Sequence, residues 1–404
     1  MVACVLALVC ASSTRAAAQG TCGNGRVDAA VRRTCAPCVA RSTNCPCADV
    51  RTPLEACDGR DLDGATCQTK GFFDGTLRCT ATCQLDTSRC TSLTSDVKLR
   101  HRTLGAAPLW VSLAFSTNVI SVAARQTGST TITPYNWDLR GPWGKASVVP
   151  GAAVVVGGTS ALVRTAKALE LFGIDYQGGA RKLFAFGDRH ALAWTQGFRG
   201  GALVALAAPN NTSELAFVDA TGKTTGTSVT LAGEVRALSW HQEGFLAAFA
   251  DRAGDLHLAW LADDATLVRE ANLGRATASC AIAPIYPLRA LVVRGGDAGA
   301  IASIVVLDKT AITVERDLPL VTTRARVVAA GYAGSSEGSY VILDDAAGHI
   351  DAVRVHEGKA TVKRMIDRKG AIAHAATTGY QNVYVAWSLG GTLHLSSFSA
   401  FLTP

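Results

Sequence analysis

From about residue 97 onward, apolar positions come in short runs of four to eight, separated by turns rich in Gly, Asp and Asn. Leu203 to Ala207, Glu214 to Val218, Thr227 to Leu231, Ala237 to Trp240, Phe245 to Phe249 and Leu256 to Leu261 follow one another with no helical period between them. The β-branched and aromatic side chains in these runs favour a pleated, packed surface. Several runs are almost continuously apolar, which predicts strands covered on both faces. Two phrases recur. Ala191-Leu192-Ala193-Trp194-Thr195-Gln196-Gly197-Phe198 returns as Ala237-Leu238-Ser239-Trp240-His241-Gln242-Glu243-Gly244-Phe245, and Asp255-Leu256-His257-Leu258 returns as Thr392-Leu393-His394-Leu395. Comparable third strands fall near Thr130, Leu169, Glu214, Leu256, Ile301, Ile350 and Leu393. Their spacing averages about 44 residues, the length of one four-stranded propeller blade.

Residues 97–404 are therefore expected to form an all-β, seven-bladed (six to eight) β-propeller. An open double sandwich is the rival, but it needs no repeat of this length. The last unit supplies three strands, near Ile372, Val383 and Leu393, and its missing outer strand is expected from Val97 to Leu104. Such a splice would close the ring and cover two exposed edges.

Residues 22–90 follow another logic. Of 13 cysteines in the chain, Cys22, Cys35, Cys38, Cys45, Cys47, Cys57, Cys67, Cys79, Cys83 and Cys90 crowd into this stretch, among turn formers such as Asp58-Gly59 and Asp74-Gly75. So small a segment buries too little apolar surface to fold unaided, and dense cysteines read as a disulfide framework in an oxidising compartment. Their pairing is not set by sequence. Cys22-Gly23-Asn24-Gly25-Arg26-Val27, Glu55-Ala56-Cys57-Asp58-Gly59, Leu62-Asp63-Gly64-Ala65-Thr66-Cys67, Gly75-Thr76-Leu77-Arg78-Cys79, Cys83 and Asp86-Thr87-Ser88-Arg89-Cys90 together resemble the myxococcal cysteine-rich repeat family. The resemblance implies an extracellular module and no chemistry. Cys35-Ala36-Pro37-Cys38 to Cys45-Pro46-Cys47 departs from that pattern and reads as an insertion.

The start of the chain agrees with export. Val2 to Val9 is a short apolar run and Ala16-Ala17-Ala18 offers a cleavage site, so residues 1–18 are expected to be a signal peptide. No later stretch is long enough to be a transmembrane helix. The net charge of +7 comes from scattered Arg and Lys, unlike the clustered basic faces of nucleic-acid readers. A monomeric protein secreted from, or held on the surface or in the periplasm of, a Gram-negative bacterium is the expectation.

Candidate chemistry is thin. Cys35-Ala36-Pro37-Cys38 has redox spacing but no βαβ context, and disulfide pairing outweighs zinc in an oxidising compartment. Asp58, Asp61 and Asp63 could offer oxygens to calcium, although an EF-hand loop fails because Gly59 and Lys70 occupy ligand positions. Gly334-Ser335-Ser336-Glu337-Gly338 matches a nucleophile elbow but precedes a strand-like run, not a helix. His257 and His394 hold equivalent blade positions and are expected to pack their blades. His190, His241 and His374 fall near channel-lining first strands, and His241, Glu243 and Arg236 are the candidate ligand-face residues. Cys280 reads as a buried small hydrophobe, and Trp110, Trp194, Trp240, Trp260 and Trp387 as core. Signatures of known propeller families, such as the WD-type Gly-His and Trp-Asp pair, are missing. The expected function is therefore a non-enzymatic binding protein for an extracellular glycan or protein. A polysaccharide-acting hydrolase or lyase and a structural envelope protein are the alternatives.

Overall fold

The computed structural model describes residues 23–27, 29–35, 47–53, 55–67, 70, 72–93, 99–108, 110–116, 119–136, 138–139, 141–196, 201–224, 228–241, 244–332, 338–345, 347–379 and 382–399. The expected signal peptide, Cys22, Cys38, Cys45, Glu243 and Ser336 lie outside them. The chain divides into two compact units, Met1–Ser92 and Leu93–Pro404.

The first unit is held by covalent and backbone links more than by a core. Ala29–Cys35 pairs antiparallel with Cys47–Pro53, placing Cys35 opposite Cys47. Disulfides join Cys57 to Cys79 and Cys67 to Cys90, across sequence separations of 22 and 23, and Cys83 is disulfide-bonded as well. Each such bridge contributes about 2–4 kcal/mol by restricting the unfolded chain. Asp58 is buried, and its two carboxylate oxygens accept the backbone N–H groups of Gly23 (2.9 Å) and Gly25 (3.0 Å). Asp61 likewise accepts from Val27 (2.8 Å) and Asp63 (3.0 Å). The Gly23-Asn24-Gly25 turn and the Asp58–Asp61 turn thus form one unit.

In the second unit, the described residues form seven four-stranded antiparallel sheets. They are blades 1 (residues 111–150), 2 (152–185), 3 (191–231), 4 (233–275), 5 (279–321), 6 (325–366) and 7 (372–399). Blade 7 takes its fourth strand, Arg100–Ala106, from the start of the unit, paired antiparallel with Thr392–Ser399. The third strands Ser129–Asn136, Leu169–Ile174, Thr212–Val218, Asp255–Leu261, Gly299–Leu307, Ile350–His356 and Thr392–Ser399 contain all seven positions expected from the repeat. The first strands crowd around the axis, and that of blade 7 packs against that of blade 1, so the ring is closed. Gly379 shows how tight this packing is: a methyl group there would run into the Phe115 ring of blade 1.

Apolar side chains on both faces of each sheet explain the nearly unbroken hydrophobic runs. Leu203, Leu215, Phe245 and Leu261 interdigitate between blades 3 and 4, and Leu291, Val293, Val341 and Val353 between blades 5 and 6. Each such buried side chain contributes about 1.5–3 kcal/mol. A polar clasp recurs alongside. In the first strands of blades 2, 4, 6 and 7 a β-bulge follows Ala153, Val235, Val327 and Ala373. The N–H of each of these residues is taken by a polar side chain of an earlier blade, respectively Thr130, Ser213, Ser279 and Asp344. A bulge disrupts the ladder locally, and the borrowed acceptor satisfies a donor in the protein interior.

Candidate functional site

Alternation of strand direction puts the first-to-second and third-to-fourth turns of every blade on one face of the ring, and the remaining connections on the other. His241 ends the first strand of blade 4, Gly233–His241, and is fully buried. Its ring lies 6.0 Å from that of Tyr286 at 29°, and Tyr286 meets Tyr332 edge-on at 5.1 Å. Tyr286 follows the first strand of blade 5 and Tyr332 ends that of blade 6, so the three rings make an aromatic arc along one rim of the channel. Both tyrosines are half-buried, and burial raises the Tyr286 phenol above its ordinary value.

Of the candidate trio, His241 and Arg236 are not brought together, and Glu243 lies outside the described residues. Arg236 sits on the strand of His241 but five residues back, roughly 16 Å away along an extended chain. It is the extra residue of the blade 4 bulge and pairs with Glu234 at 3.0 Å. His374 occupies the equivalent bulge of blade 7, where its Nε2 and the Ser388 hydroxyl lie 2.8 Å apart. Burial lowers the His374 pKa, Arg326 nearby lowers it further, and Asp344 opposes them. His190 is exposed just ahead of blade 3.

The remaining singled-out residues have local roles. His257 is bracketed by carboxylates, with Asp251 3.1 Å from Nε2 and Glu270 3.0 Å from Nδ1. At the equivalent position of blade 7, His394 stacks on Trp387, with centroids 4.5 Å apart, and meets His101 at a 34° tilt. Trp194, Trp260 and Trp387 are buried, and Trp110 and Trp240 partly so. Cys280 is a free thiol in the first strand of blade 5, partly covered rather than fully buried, and desolvation pushes it up to about 12. It is therefore protonated at physiological pH and a poor nucleophile. Strand Ser339–Asp345 follows the Ser336 segment, so the turn is a hairpin connection within blade 6.

In the first unit, Glu55, Asp58 and Cys83 stand close enough for one cation to reach all three. The Cys83 sulfur is committed to a disulfide, and both Asp58 oxygens already accept backbone N–H groups. The donor set is poor for a metal on those grounds. Asp58 and Asp61, two of the aspartates that sequence offered to calcium, are used here to tie two turns together.

Local pattern gave no sign of a cleft of about 300 Å³ on the opposite face, between blades 5 and 6. Val321, Leu343 and Val362 make its apolar wall, and Thr322, Thr323, Asp345, Asp351 and Arg364 its polar one. Arg364 donates from Nε to Asp351 at 3.0 Å, and its other nitrogens lie 3.8 Å from Asp345 and 3.5 Å from Asp367. His349 bridges Asp345 (2.9 Å) and Asp367 (3.5 Å). Burial opposes ionisation of Asp345, but the backbone N–H and ring of His349 hold its pKa below the ordinary carboxylate value. The hydrogen bond to Asp351 likewise keeps Arg364 charged. Asp345 is thus held ionised, whereas a glycosidase general acid needs a carboxyl held protonated.

No helix among the described residues is long and apolar enough to cross a membrane. The chain matches no family model and no curated protein. Among solved structures it resembles the WD40 domain of Toxoplasma gondii coronin, with a TM-score of 0.52 at 11% identity over 76% of this chain and 88% of that one. The computationally designed Ika8 protein gives a TM-score of 0.46 at 11% identity, over 74% and 98% of the respective chains. The likeness to the coronin domain is one of fold: the chain is a seven-bladed β-propeller preceded by disulfide-bonded residues.

Proposed function

We propose that this is an exported binding protein that holds a glycan or a protein partner on its propeller and performs no chemistry on it. The observation that carries the reading is the aromatic arc at the channel rim, where buried His241 backs the half-buried rings of Tyr286 and Tyr332. Two ionisable clusters elsewhere are engaged internally: His257 with Asp251 and Glu270, and Arg364 with Asp351. Rigid, half-exposed aromatic rings give contact area at small entropic cost, which suits recognition. The disulfides in residues 57–90 support an oxidising location, at the cell surface, in the periplasm or outside the cell. The protein acts as a monomer in this reading.

The test is retention of the purified protein on a panel of immobilised polysaccharides, with new chain ends scored in the same wells and envelope proteins captured in parallel. Retention without cleavage is expected. Cleavage would instead make it a hydrolase or lyase. Capture of envelope proteins without any discrete ligand would favour a structural role.

A further inference from the structure

We infer that the interlocked third-to-fourth turns of blades 1 and 2 form a sugar-stacking platform centred on Trp143, specific for gluco-configured pyranose rings. This rests on the binding reading above and assigns it a site and a ligand class.

Trp143 stands within Gly141-Pro142-Trp143-Gly144, among turn formers rather than in a strand, and it is 52% exposed. That exposure is held in place. The Trp143 N–H donates to the Pro134 carbonyl (2.9 Å), and Lys145 donates to the carbonyl of Tyr176 in blade 2 (3.0 Å). Ser147 donates across the same seam to the Asp175 and Gly179 carbonyls, both at 3.1 Å. The Tyr176 hydroxyl is anchored on the Gly158 carbonyl (2.8 Å), and its ring meets the indole edge-on at 5.1 Å and 82°. One indole surface is thus fixed against a tyrosine while much of the rest faces solvent.

Leaving so large an apolar surface in water is costly, and fixing it in advance lowers the entropic cost of binding. The neighbours decide the ligand. Lys145, Asp175 and Gln177 are exposed beside the platform, whereas the core of a protein interface is depleted of charged residues. A gluco-configured pyranose ring presents axial C–H bonds on its faces and hydroxyls around its rim. The faces match the electron-rich indole, and the hydroxyls match an amide, an ammonium and a carboxylate. Opposite charges on Lys145 and Asp175 favour a neutral sugar over an acidic one.

The experiment is calorimetric titration of the full chain with cellohexaose, laminarihexaose and chitohexaose, comparing wild type with Trp143→Ala, Trp143→Phe and Val314→Ala. Binding of at least one hexaose is expected, weakened tenfold or more by Trp143→Ala and threefold or less by Trp143→Phe. Val314→Ala, at an exposed apolar residue in the outer strand of blade 5, should leave it unchanged. Unaltered melting temperatures would show that the exposed Trp143 site is not needed for folding. If wild type binds but Trp143→Ala binds equally well, the platform is wrong and the binding reading survives. If wild type binds none of the three, the sugar platform is overturned, and envelope-protein capture then decides the broader reading. Protein capture that depends on Trp143 would overturn the ligand class.

Discussion

His101 arrives on the strand that opens the propeller and His394 on the strand that ends it, so the two rings meet only when the ring closes. Their centroids are 5.1 Å apart, and Ser396 is shared by His101 and the Trp387 indole. Burial, reinforced by His394, lowers the His101 pKa to about 4, and burial lowers His394 as well. The unfolded chain, with histidines near 6.5, then binds more protons than the native one between those values. Stability is full above about pH 6.5 and falls as pH drops toward 4. After allowance for partial exposure, His101 accounts for about 2 kcal/mol of that loss. Chemical denaturation from pH 7 to pH 4.5 should show the decline, and His101→Asn should flatten it. An unchanged slope in the variant would place the titrating groups elsewhere. Cys280 makes a second residue-scale case. With its thiol pushed up to about 12, native alkylation should be slow, and Cys280→Ser should lower the thiol count only after unfolding.

At the scale of the strand, the polar clasp between blades is the feature most open to measurement. Ser213 donates to the Gly233 carbonyl at 2.7 Å and accepts from Val235 at 2.9 Å, all in the interior. Ser213→Ala leaves a buried N–H without that acceptor, so a loss of about 1–3 kcal/mol is expected by urea denaturation. Ser213→Thr, which keeps a hydroxyl, should lose less. A silent Ser213→Ala would mean the clasp is replaced by water. Strands were the legible part of this protein because burial on both faces writes itself into consecutive residues. The recurring Trp194 and Trp240 phrases and the Leu256 and Leu393 strands set the blade length, and the closing strand was expected over Val97 to Leu104 and is found over Arg100–Ala106. Clasps and clefts are not legible that way. Arg364 and Asp351 lie in different strands of one blade, 13 residues apart, and share the cleft with Val321 of blade 5. Trp143 was hidden for the opposite reason: it interrupts no hydrophobic period, and only the fixed turn around it shows that the ring is displayed.

The whole molecule joins two solutions to the same stability problem. Residues 93–404 close a ring, so each blade buries both of its faces, and the splice covers the edge of Thr392–Ser399 with Arg100–Ala106. The described disulfides all fall before residue 93, where, among the residues whose burial is described, only Val27, Leu77 and a few half-cystines are buried apolar residues. Reduction should therefore act on one unit alone. In calorimetry of the full chain, a reductant is expected to abolish order in residues 57–90, where each lost bridge costs about 2–4 kcal/mol. The propeller transition should move by less than about 2 °C, a shift worth at most about 1 kcal/mol for a domain of this size. Residues 93–404 expressed alone should melt at that same temperature with or without reductant, since their one cysteine, Cys280, is a free thiol. If the propeller transition in the full chain instead falls with the first, the cysteine-rich residues contribute directly to propeller stability, and they cannot be regarded as an independently stapled module.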